Sequence, residues 1–418
     1  MESWRNWSGS VVATPERIVA PKSELELVAV VAAANHVRVV GTGHSFMPLC
    51  ETDGVLISLA DMAGEIEVLP NDEVWVPAGM AIGALTEALW AKGFSLLNQG
   101  DIDKQAIAGA IATGTHGTGK TLGSLSAAAR GFRLVLADGT VTECDAARDP
   151  DLYEAQRVSL GVLGVMSRIK LAVAPAYRLR ETVRKASLSE ILRDWDALAD
   201  AHRHVEFFVF PYADQALLKI LDPVDQGDDP TPTEGGTYKL FCDIATAAPF
   251  MAPTLQRIMT NAIGSFTRAA PAHRIFPSER DTRFEEMEYE IPAAAGPDTL
   301  RAAIKEVRRR RLPIIFPFEF RTVAGDDIWM SPMNDGPCVS ISFHQYARMP
   351  WREAFAAIET VLASTGGRPH WAKRHTLTPE DVMRLYPMAS RWGATRKRVD
   401  PTAKFLNAHL RQLFAFSL

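Results

Sequence analysis

The stretch Val39-Val40-Gly41-Thr42-Gly43-His44-Ser45-Phe46 constrains the fold more than any other, because two glycines and a histidine directly follow the apolar run Val37 to Val40. Glycine admits φ > 0 and a bare main chain, so successive N–H groups can turn inward as a nest for a pyrophosphate. A nucleotide-binding βαβ fingerprint would add a third glycine three residues after the second and continue into a helix. Phe46 holds that position here. Pro48 and the Asp53-Gly54 turn then leave no room for a helix before the next apolar run, Val55 to Leu59. The order is strand, glycine loop, strand. On these residues alone, His44 either faces the ligand of the nest or is a loop histidine satisfied by a backbone partner.

A second small-residue stretch, Ala108-Gly109-Ala110-Ile111-Ala112-Thr113-Gly114-Thr115-His116-Gly117-Thr118-Gly119, runs into Lys120 and Thr121. Residues 114–121 thus satisfy the G-x-x-x-x-G-K-[ST] spacing of a triphosphate loop, with Leu134 to Asp138 as a nominal magnesium-binding strand. The context opposes an NTPase, the rival class. Such a loop should follow a β-branched strand and open a helix, whereas alanines precede this one and Gly123 interrupts the turn after it. Glycine and alanine at this density suit a main chain pressed against a flat ligand, where larger side chains would collide.

A chain of 418 residues exceeds one typical domain. Hydrophobic residues at 47 %, charged residues at 23 % and a net charge of −5 describe an ordinary globular protein with no field for nucleic acid. The partner expected is a small molecule. Cys50, Cys144, Cys242 and Cys338 lack any C-x-x-C spacing, which fits reduced thiols in a cytoplasmic protein and no metal site. No apolar leader and no run of about 18 apolar residues is present, so neither secretion nor membrane spanning is expected.

Along the chain, a helix is expected from Leu25 to Ala34 and another from Ile82 to Lys92, closed by Gly93. The expected fold class is α+β in two domains, residues 1–174 and residues 175–418, with the boundary at Pro175. In the second, Val205 to Phe210, Glu286 to Ile291, Leu312 to Thr322 and Val339 to His344 read as strands. A Pro/Asp/Gly-rich loop is expected from Asp222 to Gly236. The basic run Arg308 to Arg311 reads as the solvated end of a helix starting near Asp298.

In Phe316-Pro317-Phe318-Glu319-Phe320-Arg321, strand alternation places the aromatics on one face and Glu319 with Arg321 on the other. That pair is either an ordinary surface cross-pair or a reacting set. His370 and His375, five apart, share no helix face and give no metal site.

Taken in order, GTGHSF, GTHGTG, EFR, HWAK (residues 370–373) and DPxxKFxN (residues 400–407) resemble the aldonolactone oxidases, a family that includes D-arabinono-1,4-lactone and L-gulono-1,4-lactone oxidases. Related alditol and xylitol oxidases share this pattern within the vanillyl-alcohol oxidase superfamily. The resemblance covers almost the whole chain. It implies an N-terminal FAD-binding domain, a sheet-based cap domain, and a C-terminal segment that returns to the flavin. FAD would be bound covalently through His44, with Gly41, Thr42, Gly43, Ser45, Phe46, Gly100, Asp101, Gly109, Thr113, Gly114, Thr115, His116, Gly117, Val165 and His370 on the cofactor side.

The same resemblance implies that Glu319, Arg321 and Lys373 line the substrate cavity, with His344 as a further cavity residue or a structural histidine. The implied reaction oxidises a hydroxyl of a sugar 1,4-lactone by hydride transfer to flavin N5, and dioxygen returns the flavin to its oxidised form with release of hydrogen peroxide. Phe207 to Tyr212 and Glu286 to Pro292 look more like lactone oxidases than alditol oxidases, the alternative on this scaffold. Alditol oxidases also place a serine where Asp101 stands. Gly100 matches a position beside the flavin that is small in oxidases. A flavin protein without turnover is a third reading, opposed by the intact Glu319, Arg321 and Lys373 set.

Overall fold

The computed structural model describes residues 2–62, 64–230, 237–278 and 282–418. Three parallel strands, in the order Arg17–Val19, Val55–Ser58, Val37–Val40, begin the first lobe, and the glycine loop leaves the last of them. An antiparallel sheet comes next, in which Val165–Pro175 lies between Ala129–Val135 and Glu73–Pro77. Two helices show how local sequence sets an end. Glu24–Ala33 starts at Ser23, whose hydroxyl accepts from the Glu26 N–H, and it buries Leu27 and Val31. Ile82–Ala91 buries Ile82, Leu85 and Leu89, and stops before Gly93 at φ 83°.

The second lobe is built on one antiparallel sheet of eight strands. Its order is Phe266–Pro271, Arg178–Ser187, Gln215–Val224, His204–Val209, Phe318–Val323, Cys338–Tyr346, Phe284–Pro292, Arg368–Pro369. The expected alternation holds along these strands. Phe207, Phe318, Phe320, Ile341, Phe343, Tyr289 and Met287 share one core with the helices Gly296–Arg310 and Arg352–Ala363. Glu206, Glu319, Arg321, Ser340, Ser342, Glu286, Glu288 and Glu290 alternate with them, and therefore lie on the opposite face.

Two expectations need correction. Leu312 to Thr322 is not one strand, because only Phe318–Val323 pairs. Pro313 and Pro317 lack the N–H that a ladder needs, and residues 312–317 run as irregular chain. Gln215–Val224 also takes up the start of the expected 222–236 loop, whose last part, 231–236, lies outside the described residues.

The C-terminal segment packs into the first lobe. Trp371, Tyr386, Trp392, Phe405 and Phe414 belong to the same core as Leu27, Val76 and Phe132. Asp400 accepts from the N–H groups of Lys404 (2.8 Å) and Phe405 (2.9 Å). Asn407 caps the helix Ala408–Leu413 with its carbonyl oxygen and donates to Pro48 O (2.7 Å) and Glu51 O (2.8 Å) just past the glycine loop. Arg38, inside Val37–Val40, is 3 % exposed and donates to the carbonyls of Leu49, Leu160, Gly161 and Phe405. Burial pulls its guanidinium down to about 10.

Asn407→Ala removes a helix cap and two tethers of the chain after the glycine loop. It should cost about 2 kcal/mol in urea unfolding, from a cap of about 1 kcal/mol and a comparable hydrogen-bond contribution.

Candidate active site

The two glycine-bearing stretches face each other across a cavity of about 440 Å³. Gly41, Thr42, Gly43, His44 and Ser45 form one wall, Ala106, Gly109 and Thr113 another, and Val165 and Ala372 also border it. The glycines are required for two different reasons. A Cβ on Gly41 would stand 2.9 Å from the Ala106 Cβ, so the two walls meet only through small residues. Gly43 sits at φ +73°, where its N–H direction reverses and L side chains are strained.

His44 is held on two sides. Its Nδ1 shares a 2.9 Å hydrogen bond with the Thr42 hydroxyl, which also donates to Lys104 O at 2.9 Å. Trp7 stacks on its ring with centroids 5.7 Å apart and planes 18° from parallel. Burial, then the Lys373 charge, lower His44 to about 4, so its imidazole is neutral near pH 7. The hairpin that carries Trp7 is tied to the loop by Trp7 N–H to Gly43 O (2.8 Å) and Asn6 Nδ2 to Ser45 O (3.0 Å).

A second, polar cavity of about 50 Å³ shares the lining residue Gln105 with the first. Glu319, Arg321, Lys373 and His344 line it, as do Gly100, Asp101, Thr115, His116 and His370. The last five, expected on the cofactor side, border the polar cavity. A loop that backs a cofactor with one surface lines the neighbouring space with the other. Three further residues expected at the cofactor line neither cavity. Gly114 turns the chain at φ +78°, Gly117 lets the chain pass Gln99 O, which a Cβ would approach to 2.3 Å, and Phe46 lies beneath the Lys373 ammonium, 5.3 Å from its ring centre.

The charges in the polar cavity are paired with carboxylates that the motifs did not single out. Lys373 forms an ion pair with Glu286, and His344 Nε2 lies 3.3 Å from Glu286. Arg321 donates to Glu288 and to the Ser342 hydroxyl (3.3 Å). His116 Nε2 is 3.1 Å from both Glu288 and Glu290. Burial alone would lower His116, but the Glu290 and Glu288 carboxylates outweigh it and raise the ring to about 10. Burial raises Glu288, yet the Arg321 and His116 charges bring it well below the usual carboxylate range. The signal was present as alternation, since Glu286, Glu288 and Glu290 interleave with Met287, Tyr289 and Ile291 in one strand. The Glu319 Oε1 and Arg321 Nε atoms are 3.6 Å apart and each lacks a hydrogen-bond partner.

The triphosphate-loop reading fails on geometry. After Gly119 the chain turns without opening an α-helix, and Lys120 pairs with Asp200 at the surface.

His116 takes up its proton more strongly folded than unfolded, so its contribution to stability is complete below about 6.5 and fades as pH rises through about 10. Melting temperature should fall over that window, and His116→Gln should flatten the fall. An equal slope in both proteins would show that the His116 proton is not bound this way.

The sequence matches the profile described as D-arabinono-1,4-lactone oxidase over residues 169–413 and that described as FAD binding domain over residues 15–145. It is 41 % identical to L-gulono-1,4-lactone dehydrogenase of Mycobacterium tuberculosis, covering 98 % of each chain. It is 29 % identical to L-gulonolactone oxidase of Bos taurus and 29 % identical to alditol oxidase of a Streptomyces species, again covering 98 % of each chain. Cholesterol oxidase from Brevibacterium sterolicum shares the fold, with a TM-score of 0.86 at 16 % identity over 99 % of this chain and 96 % of that one. With its FAD-binding domain, its sheet-rich second lobe and these matches, the chain belongs to the D-arabinono-1,4-lactone oxidase family and has the two-domain fold of the vanillyl-alcohol-oxidase-type flavoproteins.

Proposed function

We propose that this protein oxidises a hydroxyl of a sugar 1,4-lactone with FAD bound in the larger cavity, covalently attached through His44, and with dioxygen as electron acceptor. The observation that carries the reading is that Gln105 lines both the small-residue cavity and the polar cavity that holds Glu319, Arg321 and Lys373. Bare backbone at Gly41, Gly43 and Gly109 suits a cofactor pressed against the main chain, and a neutral His44 on the wall suits alkylation of its imidazole. When bound, FAD supplies the hydride acceptor and the centre that dioxygen reoxidises with release of hydrogen peroxide.

The chain's own groups do the rest. Glu319 keeps one carboxylate oxygen without a partner and takes the substrate hydroxyl proton. Arg321, anchored on Glu288, has Nε left for a substrate oxygen on which negative charge develops. Lys373 places positive charge near His44 and the flavin cavity. Burial of these groups excludes water and strengthens each interaction.

Lactone is favoured over alditol because Asp101, drawn to Lys219 at 3.7 Å, replaces the serine of alditol oxidases. A second reading concerns the acceptor alone. The relative at 41 % identity is named a dehydrogenase, which favours an acceptor other than oxygen. Gly100 favours oxygen, although packing also keeps it small, since a Cβ there would lie 2.9 Å from His116 O.

Anaerobic mixing with aldono-1,4-lactones should bleach the visible flavin band, while xylitol and sorbitol leave it. Glu319→Gln should slow bleaching at least about 10²-fold. Bleaching by polyols alone would move the substrate to alditols, and a colourless protein would end the flavin reading.

Denatured protein should keep its flavin fluorescence on a gel, and His44→Ala should lose it. Mixing the reduced protein with oxygen should restore the flavin and release one equivalent of peroxide. Reoxidation only by an artificial one-electron acceptor would instead select the dehydrogenase reading.

A further inference from the structure

Beside Glu319, on the sheet face that meets the first lobe, lies an ion cluster of which Asp101 alone lines the polar cavity. Lys219 on Gln215–Val224 stands 2.9 Å from Glu206, 3.7 Å from Glu181 and 3.7 Å from Asp101, the last contributed by the first lobe. Glu206 faces Lys219 on one neighbouring strand and Arg321 on the other. Carboxylate oxygens of Asp101, Glu206 and Glu319 all lie within 4.8 Å of one another. One water spans such a gap.

We propose that Glu206 and Asp101, clamped by Lys219, carry the proton from Glu319 across the boundary between the lobes to solvent. The proposal rests on the reading of Glu319 as proton acceptor. Each hydroxyl oxidised leaves one proton on Glu319, which must ionise again before the next turnover. The O–H bond on Glu319 breaks as one forms on an intervening water, a proton of that water passes to Glu206, and the same exchange moves it to Asp101 and bulk water. No electrons move in these steps.

Three observations support the route. Glu319 is 3 % exposed, and its Oε1 lacks a hydrogen-bond partner. The Asp101 side chain is 15 % exposed, against 4 % for Glu319 and 3 % for Glu206. The groups facing Glu206 are Lys219, Arg321, Glu319 and Asp101, with Glu181 and Arg268 beyond Lys219. Burial, aided by Asp101 and Glu319 and opposed by Lys219 and Arg321, raises Glu206 to about 7, where it exchanges a proton readily near neutral pH.

The test is anaerobic single turnover of the holoenzyme with an aldono-1,4-lactone in weakly buffered solution containing a pH indicator. In the wild type, proton release should coincide with flavin bleaching. In Glu206→Gln, bleaching should stay within about threefold while proton release lags it at least about tenfold, and steady-state turnover should fall with the lag. Lys219→Met should behave likewise and Lys219→Arg should restore coincidence, which a merely structural loss would not do. Proton release coincident with bleaching in Glu206→Gln would overturn the relay. Wild-type bleaching in Glu319→Gln would instead overturn the assignment of Glu319, and the relay with it. Without substrate, infrared titration of the holoenzyme should show a protonated carboxyl band with a midpoint of about 7 that Glu206→Gln removes. No such band would also count against the relay.

Discussion

Burying carboxylates on one face of a sheet is the constraint on which the second lobe depends. Glu206, Glu286, Glu288, Glu290 and Glu319 are each no more than 4 % exposed. An unpaired buried carboxylate costs several kcal/mol, so each demands a cation or a donor in place before it can stay ionised. Arg321 and Lys219 come from the sheet itself, whereas His116 comes from the first lobe and Lys373 from the chain after the last strand. The lobes are therefore matched by charge, and a one-residue slip of any central strand would drive carboxylates into the Phe207, Phe318 and Phe320 core.

The flavin side depends on a different economy, that of space. Gly41 meets Ala106, Gly43 adopts positive φ beneath Trp4, and the chain after this loop is fastened from behind by Asn407. Residues from both ends of the sequence thus hold one eight-residue stretch. Arg38 adds a buried cation whose partners are all carbonyls, and four dipoles from three separate segments replace the carboxylate that would otherwise accompany it. Strand Val37–Val40 is fixed in direction by that side chain as much as by its ladder to Val55–Ser58.

Features whose cause is local were legible in the sequence. Glycine at a forced φ, period-2 alternation in Phe318–Val323, and the cap before Glu24–Ala33 each follow from a few adjacent residues. Features whose cause is a distant partner were not. Arg38 sits in an apolar tetrapeptide and its role depends on Leu160 and Phe405, more than a hundred residues away. Glu286 and Glu288 showed the strand period but not their cations, and Lys219 gains meaning only when four chain segments meet around it. Gly100, Asp101 and His116 line the polar cavity beside Glu319 and Arg321, a placement that motif order does not specify, because it fixes which loop approaches and not which surface of the loop faces which cavity.

The contrast between Glu288 and Glu319 separates frame from chemistry within one sheet face. Glu288 takes the Arg321 guanidinium, the Ser340 hydroxyl and the His116 ring, and has Lys373 at 4.0 Å. A carboxylate so surrounded is held ionised and has little basicity left to offer. Glu319, in the row beside it, shares only a 3.6 Å approach with Arg321 Nε and keeps Oε1 bare. Leaving a buried acceptor unsatisfied costs about 1–3 kcal/mol, and neighbours as densely paired as Glu288 hold that strain in place. In the proposed reaction, saturated Glu288 holds the frame and open Glu319 accepts the substrate proton.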